Sequence, residues 1–250
     1  MNSHCLNCSN PVEHNFCPQC GQKASTHRYS MVHFVEHDLI HSVWHVDKGI
    51  FFTIKELFTR PGHSVREYIQ GKRVNYFSFI TLILLLLAIS SFLTPYLKIK
   101  MSELVSAESR QVMNEFERFT TSNPKLVMLI QIPIFSLFSY IWFRRAKLNY
   151  SEHLVLESYR IIPQLLIGIA FSIVCTATAN ISVLSIIYFG VITVLSFLYT
   201  VWFYYQFFSG YNYSKTQLIV RSIMIQVSYL LLSLVIGIVI GIITTINSTH

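Results

Sequence analysis

Five stretches of nearly unbroken apolar residues, near 76–97, 126–143, 161–181, 183–208 and 222–246, dominate the chain beyond its first third. At about 1.5 Å of rise per residue each can cross roughly 30 Å of hydrocarbon, the second only barely, so each predicts a transmembrane helix. Between the first two, Met101, Leu104, Val105, Val112, Met113, Phe116 and Phe119 stand among mixed charges. Residues 101–122 therefore read as an amphipathic external helix on the outer leaflet or capping the bundle, with a surface for an extracytoplasmic partner as the alternative. Ahead of the spans, Met31, Val32, Val35, Leu39, Val43 and Val46 recur at helical spacing and predict an amphipathic helix over 28–46. Two shorter helices follow. Thr53-Ile-Lys-Glu56 and Ser64-Val-Arg-Glu67 read as capping boxes at their starts, Arg60-Pro61-Gly62 as the turn between them, and Gly71 as a left-handed C-cap. Lys72 and Arg73 then come directly before the first span and predict contact with anionic headgroups.

Composition turns these helices into a membrane assignment. Only 12% of residues are charged, about half the usual share, and mean hydropathy is +0.48. A soluble surface needs more charge than that, and a disordered chain would have less apolar surface. The 19 Lys and Arg against 12 Asp and Glu matter mainly for orientation. Lys98, Lys100, Arg110, Arg118 and Lys125 fall on one side of the predicted bundle, and all the others fall on the opposite side. The positive-inside rule then puts the N-terminus in the cytoplasm and the C-terminus outside. No secretory signal peptide is expected. The basic residues are scattered along membrane edges without an aromatic-interleaved patch, so nucleic acid is not an expected partner.

Four of the five cysteines fall in one run, Cys5-Leu-Asn-Cys8 and Cys17-Pro-Gln-Cys20-Gly21. Two Cys-x-x-Cys knuckles can set four thiolates around one structural Zn²⁺, and Gly21 permits the tight turn that aims amides at sulfur. The expected unit is a minimal zinc ribbon over 1–24 whose folding energy comes mostly from the metal. Disulfides would need an oxidising compartment, and a thioredoxin-like site would need a βαβ surround. His33, His37, His41 and His45 recur every fourth residue, opposite the apolar face of the 28–46 helix. Each step drifts by about 40°, so neighbouring pairs can chelate a metal but one helix cannot bring all four to one ion. A solvated or headgroup-facing histidine face is the simpler reading, and a metal or proton-linked site completed by another segment is the alternative.

These motifs together carry a resemblance. The cysteine pattern ending Cys-Pro-x-Cys-Gly-Gln, Thr53-Ile-Lys-Glu-Leu-Phe-Thr-Arg-Pro-Gly62, Arg66-Glu-Tyr-Ile-Gln-Gly-Lys-Arg73 and Asn149-Tyr-Ser-Glu-His153 resemble a bacterial membrane family, domain of unknown function 3667, over essentially the whole chain. The resemblance implies a bacterial inner-membrane protein and brings no established activity or site residue. In layout alone, the Pro-bearing amphipathic lead-in and five spans are also similar to Yip1-type membrane proteins.

At the entry to the third span lies the sharpest polar cluster, Asn149-Tyr-Ser-Glu152-His153-Leu-Val-Leu-Glu157-Ser-Tyr-Arg160. On a helix His153 and Glu157 are i,i+4 neighbours and Glu157 and Arg160 are i,i+3 neighbours, with Pro163 expected to kink or restart the helix. A salt-bridged junction at the membrane entry is the simpler reading, and a headgroup, metal or proton site the alternative. Ser233, Gly237, Gly241 and Thr245 recur every fourth residue in the last span and allow close helix packing, within the chain or in a homo-oligomer. Gly168, Ser172 and Thr176 form a weaker stripe, beside which Cys175 reads as a small packed side chain. The aromatics from Tyr199 to Tyr213 read as an interfacial belt, with a lipid or ligand pocket as the alternative.

The expected fold is an all-α integral membrane protein: a zinc ribbon over 1–24, a cytoplasmic amphipathic helical region over 25–75, and a five-helix transmembrane bundle over 76–250. No hydrolase triad order, phosphate-cradling Gly loop or HExxH helix is present. The leading expectation is a scaffold or accessory subunit whose ribbon and interfacial helices bind a protein partner or the membrane surface. One alternative is a lipid-handling or metal-dependent membrane enzyme in which His33, His37, His41, His45, His153 and Glu157 converge. The other is a small oligomeric channel.

Overall fold

From Gly49 onward the described backbone is helical, which is how a chain satisfies its own N–H and C=O groups where water is absent. The computed structural model describes residues 4–26, 29, 49–104, 119 and 122–248, without the side chains of 101–102, 124–125, 128–129 and 237–248. The helix expected over 28–46, with His33, His37, His41 and His45, lies outside the described residues, as does most of the external helix expected over 101–122. Among the described residues there is no strand, only the isolated bridges His4–Pro11 and Phe16–Lys23.

Two short helices, α1 (Gly49–Thr59) and α2 (Pro61–Ile69), precede the apolar ones. Next come α3 (Phe79–Leu93), extended by a 3₁₀ turn to Tyr96, α4 (Pro124–Trp142) and α5 (Tyr150–Ala177). The last two are α6 (Ile181–Phe208), π-helical over Ile186–Ile192, and α7 (Lys215–Ser248). Four segments are long and apolar enough to cross a membrane: Phe79–Tyr96, Tyr150–Ala177, Ile181–Phe208 and Lys215–Ile236. The chain is thus a multi-pass membrane protein. The expected second span supplies only the shorter apolar stretch Ile130–Trp142 of α4. Leu195, Leu198, Leu230, Leu231 and Leu234 are exposed on α6 and α7, as lipid-facing positions should be.

α5 is the axis of the bundle and departs most from expectation. It starts at Tyr150 instead of 161, and every residue from Ser151 to Pro163 is buried. Pro163 lies inside the helix without ending it. What looked like a junction at the membrane entry is protein interior, packed against α2, α3 and α4.

The two expected capping boxes are corrected. Thr53 lies within α1, and its hydroxyl accepts from the Phe77 amide at 2.8 Å. Ser64 lies within α2 and donates to Glu56 at 2.6 Å, while α2 starts on Pro61 at its first turn. Both hydroxyls tie helices together instead of starting them. A true capping box stands elsewhere, at Asn149 and Glu152.

The aromatic belt is corrected in part, since Trp202 stays exposed and Tyr199, Tyr205, Tyr211 and Tyr213 are only partly buried. Phe203, Tyr204, Phe207 and Phe208 are fully buried, covered by α2 and the α4–α5 turn rather than by headgroups. Gly62 permits this cover: a Cβ there would lie 2.2 Å from the Phe207 amide nitrogen and 2.4 Å from the Phe203 carbonyl oxygen. Arg66 then donates to the carbonyls of Gln206 (3.0 Å) and Phe207 (2.8 Å), capping the end of α6. On the far side of the bundle Cys175 is buried with Ile99, Leu104, Phe171 and Leu184, a packed side chain as expected. The Gly168 stripe meets no packing partner at its glycine, since a Cβ there has nothing within 4 Å.

Candidate metal centre

The two cysteine knuckles fold as copies of one another. Cys5 N–H donates to Asn10 O (2.9 Å) and Ser9 N–H to Cys5 O (2.8 Å); Cys17 N–H donates to Gln22 O (2.8 Å) and Gly21 N–H to Cys17 O (2.9 Å). Each knuckle turns back through one left-handed residue just after its second cysteine, Ser9 at φ 60° and Gly21 at φ 76°. Gly21 was legible from sequence; Ser9 was not, because serine carries no signal for positive φ. All four cysteines are free thiols.

The result is one compact sulfur cluster. Cys5 and Cys20 approach to 3.6 Å and Cys8 and Cys17 to 3.5 Å, and all four Sγ atoms lie within 4.8 Å of one another. A tetrahedron with metal–sulfur bonds of about 2.3 Å would set its sulfurs about 3.8 Å apart, so the cluster fits a single ion. The Asn10 amide favours the Cys8 thiolate, but desolvation and the three neighbouring thiols push it up to about 12. Desolvation opposes ionisation at Cys17, yet the amides of Cys20 and Gln19 bring it down to about 7. Four sulfurs this close can all ionise only with a cation among them, so the cluster could hold a metal ion.

The cluster does not hang free of the bundle. Leu6, between the first two cysteines, packs on the Gly71 turn, where a Cβ would sit 2.6 Å from Leu6 Cδ1. Gly71 has φ 113°, the positive-φ C-terminal residue expected of it. Gln22 accepts from the Arg73 amide at 3.1 Å. The Arg73 guanidinium lies 4.0 Å over the Tyr29 ring, whose hydroxyl donates to that of Tyr68 at 3.0 Å. Tyr29 O accepts from Asn149 Nδ2 at 2.8 Å, which links this face to the first turn of α5. The cysteine module thus touches Gly71 and Arg73, and Arg73 in turn reaches the head of the central helix through Tyr29.

Inside α5 the polar cluster splits in two. Glu157 pairs with Arg160 as the spacing predicted, and accepts from Tyr204 Oη at 2.7 Å. Arg160 lies 4.2 Å over the Phe135 ring. His153 bonds through Nδ1 with Ser139 Oγ at 2.9 Å, and its ring packs against Tyr140 and Phe208. Every one of these polar groups is buried and has a partner from another helix or its own turn, which is what keeps them tolerable at membrane depth. Sequence reasoning missed Ser139 and Tyr204, since neither stands out until another helix supplies its partner. Among the described residues, the four cysteines are the one group of three or more His, Cys, Asp or Glu side chains close enough to share a metal. His33, His37, His41 and His45 lie outside the described residues, so their distance from His153 and Glu157 does too. No curated protein and no solved structure matches the chain. Residues 47–91, which comprise α1, α2, the turn at Gly71–Arg73 and most of α3, match a family described as "Protein of unknown function (DUF3667)".

Proposed function

We propose that this protein is an inner-membrane scaffold or accessory subunit whose four cysteines hold one structural Zn²⁺. The observation that carries the reading is the seat of the cysteine module against the membrane-entry turn, through Leu6–Gly71 and Gln22–Arg73. A metal there rigidifies a small docking unit at a fixed place on the bundle, which suits recruitment of a partner better than catalysis. An all-sulfur donor set favours zinc over harder cations, and a cytoplasmic N-terminus keeps the thiols reduced. In this reading α4 is a short second crossing, the C-terminus lies outside, and Ser233, Gly237, Gly241 and Thr245 form the face for self-association. The enzymatic alternative needs His153 and Glu157 open to a ligand, whereas Ser139, Arg160 and Tyr204 already engage them.

Metal analysis of the purified full chain tests the first half. One zinc per chain, lost in Cys5→Ser or Cys17→Ser with membrane insertion intact, is expected. Full zinc occupancy in the double variant overturns the assignment, and a second metal that survives it favours the enzyme. Affinity purification in mild detergent tests the second half: a stoichiometric partner lost with the cysteine variants is expected, and a chain that purifies alone under every condition counts against a scaffold.

A further inference from the structure

The turn between α4 and α5 carries a cleft that neither the cysteine cluster nor the buried ion pair uses. It is half-open, has a volume of about 420 Å³, and is lined by Tyr140, Arg144, Lys147, Leu148 and Asn149. Two of these five side chains are cations and none is an anion. The nearest carboxylate in sequence, Glu152, is turned back to accept from the Asn149 amide at 2.8 Å.

The cations stand on a rigid support. Phe143 N–H bonds Ser139 O at 3.0 Å, Ala146 N–H bonds Phe143 O at 3.0 Å, and Lys147 N–H bonds Arg144 O at 3.2 Å. Asn149 closes the turn with its capping box. Below the turn, Trp142 Nε1 donates to Ser228 at 3.0 Å, and Arg221 donates to the Trp142 carbonyl. Lys147 holds φ 54° and ψ 29°, a left-handed conformation that glycine would adopt at less cost. On a turn already closed by hydrogen bonds, that conformation sets a cationic side chain in the lining of the cleft.

We infer that this cleft binds a phosphate group at the membrane surface, with Arg144 and Lys147 as its cationic ligands and the Tyr140 hydroxyl as a further donor. An Arg fork matches phosphate oxygens bidentately, an ammonium adds a point charge, and the low-dielectric bundle beneath strengthens both. The volume falls within the range of small-molecule sites, larger than a bare ion needs. The cleft also lies at the end of an apolar helix, where anionic headgroups are concentrated. The phosphate therefore comes either from a glycerophospholipid headgroup or from a soluble phosphate compound.

The test uses the full-length protein, delipidated in detergent, with native mass spectrometry as the readout. Dioctanoyl phosphatidylglycerol, dioctanoyl phosphatidylcholine and inorganic phosphate are titrated separately. Arg144→Gln and Lys147→Gly should each weaken phosphatidylglycerol binding about tenfold, the loss expected for one charge-assisted contact. Lys147→Gly also relieves the left-handed backbone, so an unchanged or higher melting temperature would separate lost binding from lost folding. Arg145→Gln is the control, because Arg145 sits on the same turn but does not line the cleft. A one-to-one complex with phosphatidylglycerol that tolerates Arg145→Gln assigns the phosphate to lipid. Saturation by inorganic phosphate, with the same dependence on the variants and no gain from acyl chains, assigns it to a soluble source. Equal binding of all three probes, or equal losses in Arg144→Gln and Arg145→Gln, overturns the site and leaves only a charged membrane edge.

Discussion

Ser9 and Gly21 hold the same place in the two knuckles, yet only one of them is glycine. Ser9 pays the left-handed penalty that Gly21 avoids, so Ser9→Gly should stabilise the metal-loaded module by about 0.5–1 kcal/mol. The check is a shift in competition with a chromogenic chelator, and weaker metal retention would show that the serine side chain matters more than the backbone. In α5 the pair Glu157–Arg160 is closed by Tyr204. Glu157→Gln strands a buried guanidinium and should cost about 3 kcal/mol or more, whereas Tyr204→Phe removes one hydrogen bond and should cost about 1 kcal/mol. Unfolding in mixed micelles measures both, and equal losses would mean that the hydroxyl rather than the ion pair carries the cluster. Residue chemistry was legible where spacing set it, as at Cys5, Cys8, Cys17 and Cys20 or at Glu157 and Arg160. Thr53 and Ser64 show the opposite case: a hydroxyl three residues before a glutamate can cap a helix or bridge to another, and sequence alone does not choose.

At the scale of elements, the contact between α2 and α6 depends on one missing side chain. Gly62→Ala drives a Cβ into the α6 backbone, which cannot swing aside as a side chain would, and should destabilise the fold by about 1–3 kcal/mol. Gly168→Ala fills open space and removes a helix-interior glycine, so it should be neutral or gain up to about 1 kcal/mol. Thermal unfolding of the two variants side by side makes the comparison. The same α2 carries His63, whose Nδ1 accepts from Arg66 Nη2 at 2.8 Å. Desolvation first, then Arg66 and Arg60, hold His63 below its ordinary 6.5, with Glu67 opposing them in part. The unfolded chain therefore takes up the proton first. Stability from this group is complete above 6.5 and is lost as pH falls below 6.5 toward the folded value. Melting temperature should decline through that window in the native chain and less steeply in His63→Gln; parallel curves would remove His63 from the account.

For the whole molecule, the cysteine module, the membrane-entry turn and the head of α5 form one connected face. The path runs from Leu6 and Gln22 through Gly71 and Arg73 to Tyr29 and Asn149. Removal of the metal by a chelator should accordingly raise amide hydrogen exchange at Gly71–Arg73 and at the start of α5, while leaving the π-helical stretch of α6 unchanged. Exchange confined to residues 4–26 would make the module a passenger. Leu6→Ala should reproduce part of the effect with metal still bound, because it loosens the seat without touching a cysteine.

The sequence by itself determined the class of this protein. Long apolar runs, scarce charge and paired cysteines are local properties, read from a window of a few residues or from composition, and they suffice to point to membrane helices and a candidate metal site. It also determined which groups on one helix meet, because helical spacing is rigid: Glu157 and Arg160 had to be neighbours. Only the tertiary structure decided where the first half of α5 belongs, since Ser151 to Arg160 look like an exposed membrane-entry junction until helices from elsewhere in the chain bury them. It decided that Phe203, Tyr204, Phe207 and Phe208 are core, because an aromatic side chain is equally content under headgroups or under another helix. It decided, too, that the cysteine module sits against the bundle. That contact joins Gln22 to Arg73, and beside it Tyr29 meets Asn149, pairs so distant along the chain that no periodicity connects them.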